Sequence, residues 1–194
     1  MPISFLGPYA RTIVVATLVA AILVFSYSGM RVDVWIAIQP FFEWMETTWF
    51  GVIGKTWGAV FAVVEAFHLL GIALLGGSVL AGNGRLLGLI LNDVPARIIL
   101  DRTDRLFFWA LVLLLPTGVF MACGVAMKIY YMPVYWYKML ALCTGILFHF
   151  FVRQPLLRKE FNDINPWVVR MVAVSSIMVW FTVAATGRWI GFSG

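Results

Sequence analysis

Long apolar runs separated by short polar stretches set the reading of this chain. A helix crosses the hydrocarbon of a bilayer in about 20 mostly apolar residues. Five stretches meet that length: 12–30, 56–81, 106–127, 134–152 and 168–189. None shows the ten-residue alternation of a barrel strand, and backbone groups in lipid must pair within their own segment. The pattern therefore predicts an all-α integral membrane protein of five transmembrane helices. Spans two to five form a four-helix bundle core, with an N-terminal helix beside it, in one membrane domain covering 1–194. A signal peptide is the competing reading of the first run, with Arg11 as its basic head. Residues 25–29 make a poor cleavage site, so a retained helix is expected.

Two polar stretches carry patterns of their own. Residues 34–50 mix aromatic and acidic side chains (Trp35, Phe41, Phe42, Glu43, Trp44, Glu46, Trp49) and predict an interfacial helix at the outer surface. Residues 92–105 interleave Asp93, Arg97, Asp101, Arg102, Asp104 and Arg105. Their four-residue spacing suits a short solvated helix acting as a connector.

Composition narrows the class. The chain is 62% hydrophobic and only 12% charged, too few charges to cover a water-soluble domain. Its net charge of +5 is carried between the apolar runs, which reads as topology rather than nucleic-acid binding. With five spans, Arg11, Arg85, Arg97, Arg102, Arg105, Arg153, Arg158, Lys159 and Arg170 fall on one side. Arg31, Lys55, Lys128, Lys138 and Arg188 fall on the other. By the positive-inside rule the N-terminus is cytoplasmic and the C-terminus periplasmic, in a bacterial inner membrane. Cys123 and Cys143 lie in apolar runs and suggest neither a disulfide framework nor a zinc site.

Three ionisable residues remain at membrane depth: Glu65, His68 and His149. Such residues are functional candidates by default, although an interhelical hydrogen bond explains either histidine taken singly. The second and fourth spans run in the same direction. Counted from Trp57 and Trp136, the two histidines differ in depth by about 3 Å; counted from Arg85 and Arg153, the match is worse. Gly71 and Gly145 share the faces of His68 and His149 and would let a flat macrocycle approach the backbone, or would serve close helix packing. Haem b between two axial imidazoles is the best candidate ligand, since zinc or copper would want further protein ligands. Glu65 is placed to accept from an imidazole, to pair with Arg188 or to gate a proton. Arg188 is placed to hold a propionate, and Lys138 to snorkel. Pro116 should kink the third span, with Thr117 re-satisfying the backbone there.

These residues carry a resemblance. From about residue 57 to 192 the chain resembles an uncharacterised bacterial integral-membrane family, a domain of unknown function. The matching pieces are the run Glu65-x-x-His68-x-x-Gly71, Arg85-Leu86-Leu87-Gly88, Thr117-Gly118, Tyr130-Tyr131, Lys138, His149 and the Gly187-Arg188-Trp189 run. Where the family pattern has an acidic residue before the Arg-Leu-Leu-Gly run, this chain has Asn83-Gly84. A second departure is Thr144-Gly145. Both remove the expectation of a polar role at those positions. More distantly, the chain is similar to copper-resistance D-like proteins, haem-binding membrane protoporphyrinogen oxidases and b-type membrane cytochromes. Those resemblances imply haem held between helices.

Two functions follow as expectations. In the first, the protein is a b-type cytochrome binding one haem between spans two and four through His68 and His149. It would pass electrons between the quinone pool or a membrane partner and a periplasmic redox partner. In the second, it is a non-catalytic or pigment-binding subunit of a larger membrane complex. A porphyrin-handling enzyme rests on the distant resemblance alone.

Overall fold

Large apolar side chains on the outside and polar ones within characterise the computed structural model, which describes residues 10–158 and 164–192. Lys159 and the side chains of Arg11 and Arg31, used above to orient the chain, lie outside the described residues. All regular elements described are helical: α1 (Ala10–Tyr27), α2 (Met30–Thr47), α3 (Trp49–Thr56), α4 (Gly58–Leu86), α5 (Ala96–Gly124), α6 (Ala126–Tyr130) and α7 (Pro133–Leu147). A π-helical turn (Phe148–Arg153) leads into α8 (Gln154–Leu157), and α9 (Pro166–Ile190) ends the bundle. The helices α4, α5, the continuous run Pro133–Leu157 and α9 are long and apolar enough to cross a membrane.

These four pack side by side, α4 along most of α5 and α7 along α9, with α4 also meeting α9. Val63, Leu69, Trp109 and Phe181 point outward. Meanwhile Asn83, Ser176, His149 and Arg153 are at most 2% exposed. Lipid supplies no hydrophobic force to hold such helices together, so close packing and internal polar contacts must do so.

Helix ends follow local rules. The α4 terminus is a Schellman motif: Gly88 N–H donates to the Arg85 carbonyl and Leu89 N–H to that of Gly84. Its turn needs the left-handed φ of +73° at Gly88, which glycine adopts without a Cβ penalty. Asn165 caps α9 by accepting from Trp167 N–H, with Pro166 in the first turn.

The structure differs from the sequence pattern in two places. The N-terminal run does not make a fifth helix of full spanning length among the described residues. It yields α1, which bends by 94° into α2, and the pair qualifies as a span only if counted together. Residues 96–105 are not a connector either. They are the first turns of α5 after Pro95, because their acidic and basic residues face both the bundle and its exterior. Most of the stretch 34–50 is helical, within α2, which closes at Thr48; Thr48 then caps α3 by accepting from Gly51 N–H. Phe42 and Met45 bury against Cys123, Ala126, Ile129 and Tyr130 at the α5–α6 corner. Trp44 and Trp49 remain exposed.

Candidate functional site

One polar network draws a side chain from each of the four long elements. Asn83 on α4 donates to the Val79 carbonyl (2.8 Å) and to Ser176 Oγ on α9 (3.0 Å). Its Oδ1 accepts from Arg153 Nε at 3.2 Å. Arg153 Nη1 then donates to Asp104 Oδ1 on α5 at 2.5 Å. All hydrogen-bonding capacity of the Asn83 amide nitrogen is thereby used, which fixes its orientation. Gly82 lets the guanidinium in: a Cβ there would stand 3.0 Å from Arg153 Nη2 and 2.8 Å from Thr103 Oγ1.

His149 sits beside this ion pair. Its ring lies on Phe107, centroids 3.6 Å apart and planes 9° from parallel, and its Nε2 is 3.9 Å from Asp104 Oδ1. Both ring nitrogens are buried without a hydrogen-bond partner, a costly state for an imidazole that must carry at least one N–H. The π-helical turn begins one residue before it and ends on Arg153; such turns frequently mark functional sites.

A cavity of about 350 Å³ opens beside the network, between the first turns of α5 and the α7–α8 end. Asp104 lines it and also belongs to the buried cluster, so one carboxylate faces both. Arg97, Arg105 and Arg158 stand around the cavity with Asp101 and Gln154, while Leu100, Phe108, Phe150 and Leu157 form its apolar walls.

The other histidine occupies a separate place. His68 Nδ1 is 2.9 Å from Thr117 Oγ1 on α5. The Thr117 hydroxyl has one proton, and it lies 2.7 Å from the Leu113 carbonyl. His68 therefore donates from Nδ1, and its Nε2 is left as a bare acceptor. Thr117 thus orients His68 and does not replace the bond that Pro116 forfeits, which belongs to the carbonyl four residues earlier. Lys138 lies within electrostatic reach of His68, its ammonium end packed over Gly187 on α9.

A single haem between His68 and His149 does not fit this packing. His149 meets α5 at Phe107 and His68 meets it at Thr117, ten residues or about 15 Å along the helix. Two imidazole nitrogens on one iron stand roughly 4 Å apart, twice a metal–imidazole bond. The depth count from Trp57 and Trp136 disagrees with the places at which the two histidines meet α5. The count from Arg85 and Arg153 pointed the right way. The glycines are not a macrocycle cradle: a Cβ at Gly71 would lie 2.9 Å from Leu114, and one at Gly145 would lie 3.1 Å from Trp180. Helix contacts fill both faces.

Glu65 is exposed on α4 and pairs with neither His68 nor Arg188. Arg188 instead places its guanidinium over the Phe192 ring at 4.5 Å. No group of three or more His, Cys, Asp or Glu able to hold a metal occurs among the described residues. Asn83, Asp104, Arg153 and Ser176 were not foreseen as a site. The charge pattern assigns Arg153 to topology, yet it is 2% exposed.

The fold and site define an all-helical protein with four membrane-crossing candidates and an ionic network within them. The chain belongs to the family of unknown function DUF6644, whose model matches residues 41–193. The match begins within α2 and takes in every residue of the network. No curated protein and no solved structure matches the chain.

Proposed function

We propose that the protein is a non-catalytic, ligand-binding subunit of the bacterial inner membrane. Its working site is the cavity at the basic end together with the Asp104–Arg153–His149 network behind it. The single observation that carries this reading is Asp104, which faces the cavity and binds Arg153 in the same geometry. Anything that enters the cavity changes the field at an ion pair tied to all four long elements. Membrane-buried ionisable groups of this kind mark ligand and ion pathways. By the positive-inside rule the cavity faces the cytoplasm, the N-terminus is cytoplasmic and the C-terminus periplasmic, with the N-terminal run that bends from α1 into α2 counted as the additional span.

The chain has two histidines, so nitrogen-15 labelling of histidine gives one signal from each place. Moving the full-length protein from neutral detergent into bilayer nanodiscs containing anionic lipid should shift the His149 signal and leave His68 in place. Asp104→Asn should abolish the shift. An unmoved His149 signal would overturn the reading.

The electron-carrier reading retains one foothold, the bare Nε2 of His68. It needs a second axial ligand other than His149, or a slide of α4 past α7 by several turns. An oxidised-minus-reduced spectrum of protein from haem-replete cells separates the two readings. A Soret band lost in both His68→Ala and His149→Ala would restore the haem.

A further inference from the structure

We infer that the cavity at the basic end binds a phosphate group, supplied by the headgroup of an anionic membrane lipid. This rests on the reading of the cavity as a ligand site and names the ligand class. Arg97, Arg105 and Arg158 stand around the opening. None has a carboxylate within ion-pair distance among the described residues. Arg97 Nη1 reaches only the Arg158 backbone carbonyl, at 3.5 Å, which ties the two walls together. On the acidic side, Asp104 is neutralised by Arg153, leaving Asp101 alone. Among the described residues, three guanidinium groups against one free carboxylate leave two positive charges in excess around a space of about 350 Å³. Guanidinium matches phosphate oxygens in bidentate fashion and is the side chain best suited to them.

The apolar walls argue for a lipid rather than a soluble anion. Phe108 is 47% exposed and Phe150 is half-buried beside it, so the cavity runs from charged rim to hydrocarbon-facing rings. A headgroup seated among the arginines would lay its acyl chains along this aromatic wall. Basic pockets between membrane helices at the cytoplasmic surface favour anionic headgroups for the same reason.

The test uses the full chain in nanodiscs of zwitterionic phosphatidylcholine alone or with phosphatidylglycerol added. Native mass spectrometry should find a phosphatidylglycerol retained on the protein. Replacing all three arginines by glutamine should weaken retention about a hundredfold, from about fivefold for each cation near the surface. The double variant Arg85→Gln with Arg102→Gln removes charge from the same end outside the cavity and should retain the lipid. If inorganic phosphate protects the protein thermally in phosphatidylcholine discs and no lipid is retained, the phosphate chemistry stands and the source is soluble. Equal loss in triple and double variants, or no binding of either phosphate source, would overturn the proposal. Lipid retained by a protein whose His149 signal does not move would keep this inference and defeat coupling to the network.

Discussion

The imidazole of His149 lies flat against Phe107, 3.6 Å between centroids and 9° between planes. Trp180 meets the same Phe107 ring edge-on at 5.1 Å. The stack depends on a flat ring, which phenylalanine also supplies, though a somewhat larger one. His149→Phe should therefore fold and melt no lower than the parent, because it deletes two buried nitrogens that have no partner. Thermal unfolding in detergent checks this. A loss well beyond the roughly 1–3 kcal/mol that overpacking costs would contradict the unpaired state of the ring nitrogens.

Arg153 is the reverse case. Arg153→Ala leaves Asn83 Oδ1 without its donor and Asp104 without its cation. Breaking one side of a buried pair costs about 3–5 kcal/mol; Asp104 retains 19% side-chain exposure, which favours the lower end. The double variant Arg153→Met with Asp104→Leu should recover most of the loss, since replacing a buried pair by apolar groups is often neutral. Chemical or thermal denaturation of both variants measures the difference.

Glu46 governs a pH-dependent contact at the aromatic end. It pairs with Lys55, and its Oε1 accepts from Met127 N–H at 2.9 Å in the first turn of α6. The lysine partner, helped by that backbone bond, lowers its carboxyl from the usual 4.5 despite partial burial. A lowered folded-state value means the contact stabilises above 4.5 and is lost as pH falls through that folded value. Glu46→Gln should thus melt below the parent at pH 7, and the gap should close under acid. A gap that does not narrow at all as the pH falls would contradict the assignment.

Two glycines on α4 should respond in opposite ways. Gly71→Ala places a methyl 2.9 Å from Leu114, and overpacking of this kind costs about 1–3 kcal/mol. Gly77 has nothing within 4 Å of its would-be Cβ. Gly77→Ala should be neutral or stabilise by up to about 1 kcal/mol through helix propensity. Parallel melting curves decide both.

The four long helices were legible because apolar length needs no knowledge of neighbours. Their ends shifted for local reasons, as at α5, where Pro95 starts the helix ahead of its apolar run. The site was not legible to the same degree. His68 and His149 stood out as exceptions in apolar runs, but their relative depth depends on how α4 and α7 pack on α5. Arg153 looked like an interfacial charge because it follows an apolar run by one residue. Its burial needs Gly82, Asn83 and Asp104, far away in sequence. Asn83 was set aside because an amide replaces an acid there. Next to a guanidinium already bound to Asp104, an amide satisfies Arg153 and Ser176 without adding a second negative charge.

The Asp104–Arg153 pair joins residues 49 positions apart, and this separation has a consequence for how the protein is made. Synthesis delivers α5 before α7, so Asp104 reaches the membrane while its cation is still to be assembled. A carboxylate without its cation is costly to take out of water, so Asp104 favours its buried depth only once Arg153 is present. A chain stopped before α7 should therefore keep Asp104 hydrated, since it lacks the Arg153 cation that pairs with that carboxylate.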